Sequence, residues 1–93
     1  MTKPADTDQT LRAILRDVLG LSAAQVAAMR GDSALFGALP ELDSMAVAGL
    51  LTEIEDRLHF HIDDDEVDGE MLESFGSLLA FVEAKRAEAA RPR

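Results

Sequence analysis

The chain has no cysteine, no tryptophan and no tyrosine, and only four phenylalanines among its 93 residues. Without cysteine there are no disulfides, thiolate nucleophiles, iron–sulfur clusters or Cys-ligated zinc sites. Basic residues are also scarce, nine Lys and Arg against eighteen Asp and Glu, for a net charge of −9. Nucleic acid and anionic membrane surfaces are therefore excluded as natural partners, because phosphate recognition requires clustered Lys and Arg. The longest apolar run, Met45 to Leu51, includes a glycine and falls far short of the roughly 18 residues of a membrane span. The opening Met-Thr-Lys-Pro-Ala-Asp has no apolar signal segment. The chain reads as a soluble, cytoplasmic, monomeric protein.

What is present argues for one small folded domain over residues 1–93, with a core from about 8 to 86 and flexible ends. Hydrophobic residues make up 47% of the chain, enough for a core. A mass of 10.0 kDa leaves no room for a second core or a deep substrate cavity. Its stability belongs at the low end of roughly 5–15 kcal/mol. The charge is unevenly placed: Glu41 to Glu73 holds twelve acidic residues and one basic, Arg57, while the remainder is slightly positive. The middle of the protein is thus an anionic surface suited to basic partners.

The apolar periodicity is helical. Leu11, Ile14, Leu15 and Val18 share one face of a helix over about 8–19, with Asp6, Thr7 and Asp8 as candidate N-caps and Gly20 as the residue that stops it. Residues 21–43 form a long connection with apolar anchors, in which Ser22 can cap a short turn through Met29 but Gly31, Gly37 and Pro40 forbid a long helix. Asp43 and Ser44 precede a second stripe at Val47, Leu50, Leu51, Ile54 and Leu58, predicting a helix over 44–58 whose other face carries Glu53, Glu55 and Asp56. Leu58, Phe60 and Ile62 alternate with His59 and His61, as in a short extended connector. A short helix is expected over 66–72 with Val67, Met71 and Leu72 inward. Ser74 then caps a last helix with Phe75, Leu78, Leu79 and Val82 on one face, fading through 84–90 into a frayed Arg91-Pro92-Arg93 end. The fold class is all-α, an antiparallel four-helix bundle of three longer helices and a short third one.

Enzymatic readings fail on geometry or composition. Ser44 and His59 sit at opposite ends of one helix, roughly 22 Å apart at 1.5 Å per residue, so they cannot form a nucleophile–base pair. His59 and His61 with nearby carboxylates are a weak metal signal, and solvent-facing polar residues explain them better. Placing Gly69 at position 6 of a calcium loop puts Phe75 where a bidentate glutamate is required, so the Asp63–Gly69 run is not an EF-hand. On position alone, either Ser44 or Asp43 is an ordinary N-cap. A hydroxyl at a helix N-terminus also suits an attached phosphate, since free N–H groups and the helix dipole favour negative charge there. With no base beside it, Ser44 fits modification by another enzyme.

Leu42-Asp43-Ser44-Met45, after a long apolar loop and opening a helix that turns acidic, resembles the Asp-Ser-Leu motif of acyl carrier proteins and peptidyl carrier domains. Ile62-Asp63-Asp64-Asp65-Glu66 and Ser74-Phe75 resemble the stretch before that family's short third helix and its fourth-helix cap. The resemblance spans about residues 8–86. It implies 4′-phosphopantetheine on Ser44, donated by coenzyme A through a Mg²⁺-dependent phosphopantetheinyl transferase, and acyl groups held as thioesters. It implies no catalysis by the protein itself and no metal site. Asp43 would orient the transferase and the arm, and Met45, off the buried stripe, would be an exposed apolar contact. Glu53, Glu55 and Asp56 would dock acyl ligases, synthases or acyltransferases through their basic patches. Glu41, Ala46 and Gly49 depart from the family pattern, and Leu39-Pro40-Glu41-Leu42-Asp43-Ser44-Met45 resembles specialised carriers associated with exosortase and exopolysaccharide gene clusters. The competing reading is a small acidic helical interaction module without a prosthetic group.

Overall fold

The computed structural model describes residues 4–90, with side chains from Thr7 onward. Its element order is α1 (Pro4–Leu19), α2 (Ala23–Ala27), α3 (Ser44–Leu58), a 3₁₀ turn (Asp64–Glu66) and α4 (Phe75–Ala90). Among the described residues the only β pairing is an isolated bridge between Ala34 and Ser74. The frayed end expected at residues 91–93 lies outside the described residues.

Helix α1 begins at Pro4, four residues before the expected start, because proline's fixed φ and missing N–H suit the first helical turn. Thr7 and Asp8 are therefore inside the helix and cap nothing. Thr7 is buried, and its hydroxyl accepts a hydrogen bond from Arg86 of α4 at 2.7 Å. The helix stops as expected: Gly20 has φ +70°, and the Leu21 N–H returns to the Arg16 carbonyl at 3.1 Å. Leu11, Ile14 and Leu15 are fully buried, and α1 packs against α2, α3 and α4. Arg12 fastens α1 to two of them, α2 and α4. Its guanidinium donates to the Val26 and Ala27 carbonyls at the end of α2 and lies 4.5 Å over the Phe75 ring of α4.

Ser22 and Gln25 form a reciprocal capping box that starts α2. The long connection after it is anchored by buried Leu35 and Leu42, and its first half is stitched to the start of α4. Phe75 donates to the Ser33 carbonyl at 2.8 Å, Gly76 to Gly31 at 2.9 Å, and Leu35 to Glu73 at 2.9 Å. A Cβ on Gly76 would lie 2.6 Å from the Gly31 oxygen, so this contact requires glycine.

Helix α3 occupies the expected residues, with Leu50 and Ile54 fully buried and Val47, Leu51 and Leu58 packed on the core. It ends on His59 in the left-handed region, φ +59°. The helix expected over 66–72 is instead the three-residue 3₁₀ turn, starting two residues earlier. Gly69 is a poor helix former, and short acidic side chains bond their own backbone here: Asp68 Oδ1 takes the Met71 N–H at 2.9 Å. Met71 and Leu72 are nonetheless buried, so the segment packs inward without being helical. Ser74 caps α4 through the Ser77 N–H at 3.1 Å, and Phe75, Leu78 and Val82 close the core. The short α-helix of the bundle is therefore α2. The lysine of α4, Lys85, reaches back to both oxygens of Glu66 at 2.9 and 3.0 Å and holds the 3₁₀ turn against the bundle.

Candidate functional site

Asp43, not Ser44, is the cap of α3. Its Oδ1 accepts the Ala46 N–H at 2.8 Å and its carbonyl accepts the Val47 N–H at 3.0 Å. Ser44 is thereby the first helical residue, with its side chain exposed. Among the described residues its hydroxyl makes no hydrogen bond, and it stands at the positive end of the helix dipole. Met45 follows with 85% of its surface in solvent, a large apolar side chain left outside the core. The three residues expected at the centre of the site thus sit together at one helix start, each in a different role. His59 is far from them, at the opposite end of the helix that Ser44 begins.

A groove of about 470 Å³ runs from Ser44 along α3 and the 60–67 connector. Its lining is apolar at Val47, Ala48, Leu51, Ile62 and Val67 and polar at Thr52, Glu55 and Asp64, with Glu55 and Ile62 joined by a hydrogen bond. The groove itself is not legible in the sequence, where Val47, Leu51, Ile62 and Val67 stand as apolar positions and Glu55 as a docking carboxylate, while Ala48 and Thr52 have no role. The signal for the groove is the recurrence 44, 47/48, 51/52, 55 along one face of α3, which overlaps the edge of the core stripe at Val47 and Leu51.

The three expected docking carboxylates do not all share a face: Glu53 and Asp56, three residues apart, are neighbours on the helix surface, whereas Glu55 lies about 200° and 100° around the helix from them. Glu53 pairs with Arg57 at 3.0 Å, and Arg57 also bonds Asp17 of α1 at 2.8 Å. The hydrogen bond from Arg57 holds the Asp17 carboxyl below its ordinary value against a smaller opposing effect of burial. Glu55 turns toward the connector, where Oε2 takes the Ile62 N–H at 2.6 Å and lies 3.2 Å from His61 Nδ1. Asp56 is exposed and, among the described residues, has no ion-pair partner. His61 bridges Glu55 and Asp63, 3.0 Å from Asp63 Oδ1. Among the described residues no three His, Asp or Glu side chains are grouped for a metal ion.

The arrangement fits a phosphodiester-linked arm. An exposed hydroxyl stands at a helix N-terminus, with a groove leading away from it and, among the described residues, no basic side chain hydrogen-bonded to it. Among the described residues no helix is long and apolar enough to cross a membrane.

Comparison with known proteins agrees. A family model described as a phosphopantetheine attachment site matches residues 9–82. A holo acyl carrier protein from Nitrosomonas europaea, solved by solution NMR, is 41% identical, with a TM-score of 0.78 over 86% of this chain and 95% of that one. No curated protein matches the chain. The family match favours a carrier with a covalent 4′-phosphopantetheine over a module without one, and a carrier over a catalyst. From its match across residues 9–82, the chain belongs to the phosphopantetheine-attachment family, with the four-helix fold of acyl carrier proteins.

Proposed function

We propose that Ser44 carries the 4′-phosphopantetheine and that the protein presents acyl groups to partner enzymes in the cytoplasm as a monomer. The observation that carries this reading is the exposed Ser44 hydroxyl at the first residue of α3, relieved of capping by Asp43. The prosthetic arm supplies the thiol that a cysteine-free chain lacks, and with it the capacity to hold an acyl group as a thioester. Asp43 keeps the helix start rigid, and the α3 dipole stabilises the phosphate charge next to it. Met45 offers an apolar foothold for the phosphopantetheinyl transferase and later partners. Asp56 supplies the free carboxylate of α3 for a basic patch on an acyl ligase, synthase or acyltransferase, with the wider acidic surface steering encounter. Ala46 and Gly49 leave the first turns of α3 without charge, which supports a dedicated partner set and a specialised carrier of the exosortase or exopolysaccharide kind.

The test is intact-protein mass spectrometry after incubation with coenzyme A, Mg²⁺ and a broad-specificity phosphopantetheinyl transferase. Wild type should gain one phosphopantetheine and Ser44→Ala none. Labelling of Ser44→Ala would move the attachment elsewhere, and an unlabelled but folded wild type would refute the reading.

A further inference from the structure

Phe36 is the aromatic side chain that the core does not use. Of the four phenylalanines, Phe75 is buried and Phe60 and Phe81 pack against the core, whereas Phe36 leaves 45% of its surface in solvent. Its backbone is nonetheless fixed. The Phe36 N–H donates to the Leu72 carbonyl at 3.0 Å and the Leu35 N–H to Glu73 at 2.9 Å, while the Ala38 and Leu39 N–H groups both return to the Leu35 carbonyl. Leu35 is fully buried beside it, and Gly37 turns the chain with φ +92°. An aromatic ring held out on a locked backbone has little ordering entropy left to lose when a partner arrives, and aromatic residues are enriched at the centres of protein interfaces. The same pairing sets the charge around the ring. Glu73 follows Leu72, and its N–H closes a turn onto the Glu70 carbonyl at 3.3 Å, so two exposed carboxylates belong to the segment that Phe36 bonds. Between Gly31 and Ala84 the sole Lys or Arg is Arg57, which is held by Glu53 and Asp17. Arg30 precedes the opposite end of the pairing, where the Gly31 carbonyl accepts from Gly76.

A ring beside carboxylates fits an apolar pocket rimmed by Lys or Arg. A second copy of this chain does not offer that rim, since each copy carries a charge of −9, and an anionic membrane is repelled for the same reason. The enzyme that modifies Ser44 does offer it. Coenzyme A brings a pyrophosphate and a 3′-phosphate, which are held by cationic side chains, so the mouth of the transferase's site is basic. That enzyme also meets the protein before the arm is attached, when neither arm nor cargo contributes binding energy and recognition falls on the surface of the domain alone. The first turn of α3 brings no carboxylate to this encounter. Ser44 follows Phe36 by eight residues, at most about 29 Å of extended chain, so one enzyme spans both. Resting on the assignment of the arm to Ser44, we propose that Phe36, with Glu70 and Glu73 beside it, is a docking site for the phosphopantetheinyl transferase, which takes the ring in an apolar pocket with a basic rim.

The experiment follows modification of the full-length apo-protein by a broad-specificity phosphopantetheinyl transferase, at saturating coenzyme A and Mg²⁺, by intact mass over a range of carrier concentrations. Phe36→Ala should raise KM about ten-fold with kcat within about two-fold of wild type, as when an interface aromatic is truncated. Phe36→Leu, which keeps apolar bulk, should recover most of the loss. Glu70→Gln with Glu73→Gln should raise KM about three-fold at low salt and hardly at all at high salt, and tests the site without touching the ring. Circular dichroism melts report the fold of each variant. A folded Phe36→Ala protein with wild-type KM, a loss confined to kcat, or a carboxylate variant whose KM matches wild type at low salt would overturn the docking site, while labelled wild type would keep the carrier reading. A Phe36-dependent dimer in sedimentation, or Phe36-dependent binding to phosphatidylcholine vesicles, would give the ring to another occupant and overturn it as well. Failure of folded wild type to gain mass would overturn both.

Discussion

Two glycines within helices should respond to alanine in opposite directions, and the sign in each case follows from what a Cβ would meet. At Gly76 the added carbon would sit 2.6 Å from the Gly31 oxygen, 3.0 Å from its Cα and 3.1 Å from its carbonyl carbon. All three are backbone atoms, so no side-chain rotation relieves the clash. Loop 31–36 has to move away from α4, weakening the hydrogen bonds from Gly76 to Gly31 and from Phe75 to Ser33. Overpacking of this kind costs roughly 1–3 kcal/mol, and each weakened hydrogen bond adds up to about 1 kcal/mol. Against this, replacing glycine by alanine in a helix returns at most about 1 kcal/mol, and less at the second residue of α4. The clash wins. Gly76→Ala should lose about 1–2 kcal/mol, lowering Tm by about 5–15 °C for a domain of this size. At Gly49, in the middle of α3, the nearest atom to the added Cβ is Val18 Cγ1 at 4.0 Å, an ordinary contact. Gly49→Ala should therefore raise stability by about 0.5–1 kcal/mol through helix propensity alone. Thermal melts followed by circular dichroism, backed by urea titration, measure both. A Gly76→Ala protein that melts at or above wild type would refute the close approach of loop and helix.

Asp43→Ala should cost about 1 kcal/mol through loss of the α3 cap, while Ser44→Ala should leave the melt unchanged, since only Asp43 bonds the helix start; matched losses in urea titrations of the two variants would contradict the division of roles. The bond from Lys85, helped by the Asp63 N–H, holds Glu66 below its ordinary 4.5, so its contribution is full above that pH and is lost as pH falls through the lowered value. The same bond raises Lys85, so its contribution is intact below 10.5 and disappears as pH climbs through the raised value. The Tm gap between wild type and Lys85→Gln should accordingly be widest near neutrality and narrow at both ends, and a gap that is flat from acid to neutral pH would count against the tether. Asp56→Lys should slow acyl transfer to a partner more at low salt than at high salt, whereas Glu53→Gln should do so less, because Arg57 already neutralises Glu53; equal salt dependence for the two would remove the distinction.

The helices that build the bundle were legible because burial repeats with the helical period. Leu11, Ile14 and Leu15, then Leu50 and Ile54, then Phe75, Leu78 and Val82 are buried where the spacing places them. The 66–72 segment lacked such a repeat, and its two buried residues, Met71 and Leu72, are adjacent, a pattern that turns produce as readily as helices do. The start of α1 was missed because the apolar stripe begins at Leu11, whereas Pro4 sets the beginning by backbone geometry. At the site, Asp43 and Ser44 are both good cap residues, and the choice between them depends on which side chain reaches the Ala46 N–H. That is a matter of torsion angles, on which composition is silent.

Charge was the least legible property, and for a physical reason that bears on how this protein meets its partners. A count of carboxylates makes α3 an acidic helix, but the fold spends Glu53 on Arg57 and turns Glu55 into the groove. What remains on its outer surface is Met45, Ala48, Gly49 and Thr52, with Asp56 one turn farther on. Near Ser44 a partner therefore meets small and apolar groups, whose contact energy is insensitive to salt, while the acidic field acts at longer range. Association of such a surface separates into two steps. Steering depends on net charge and ionic strength, and fit beside the arm depends on the side chains around Met45. Substitutions of Met45 should consequently change the lifetime of partner complexes, and substitutions of Asp56 the rate at which they form.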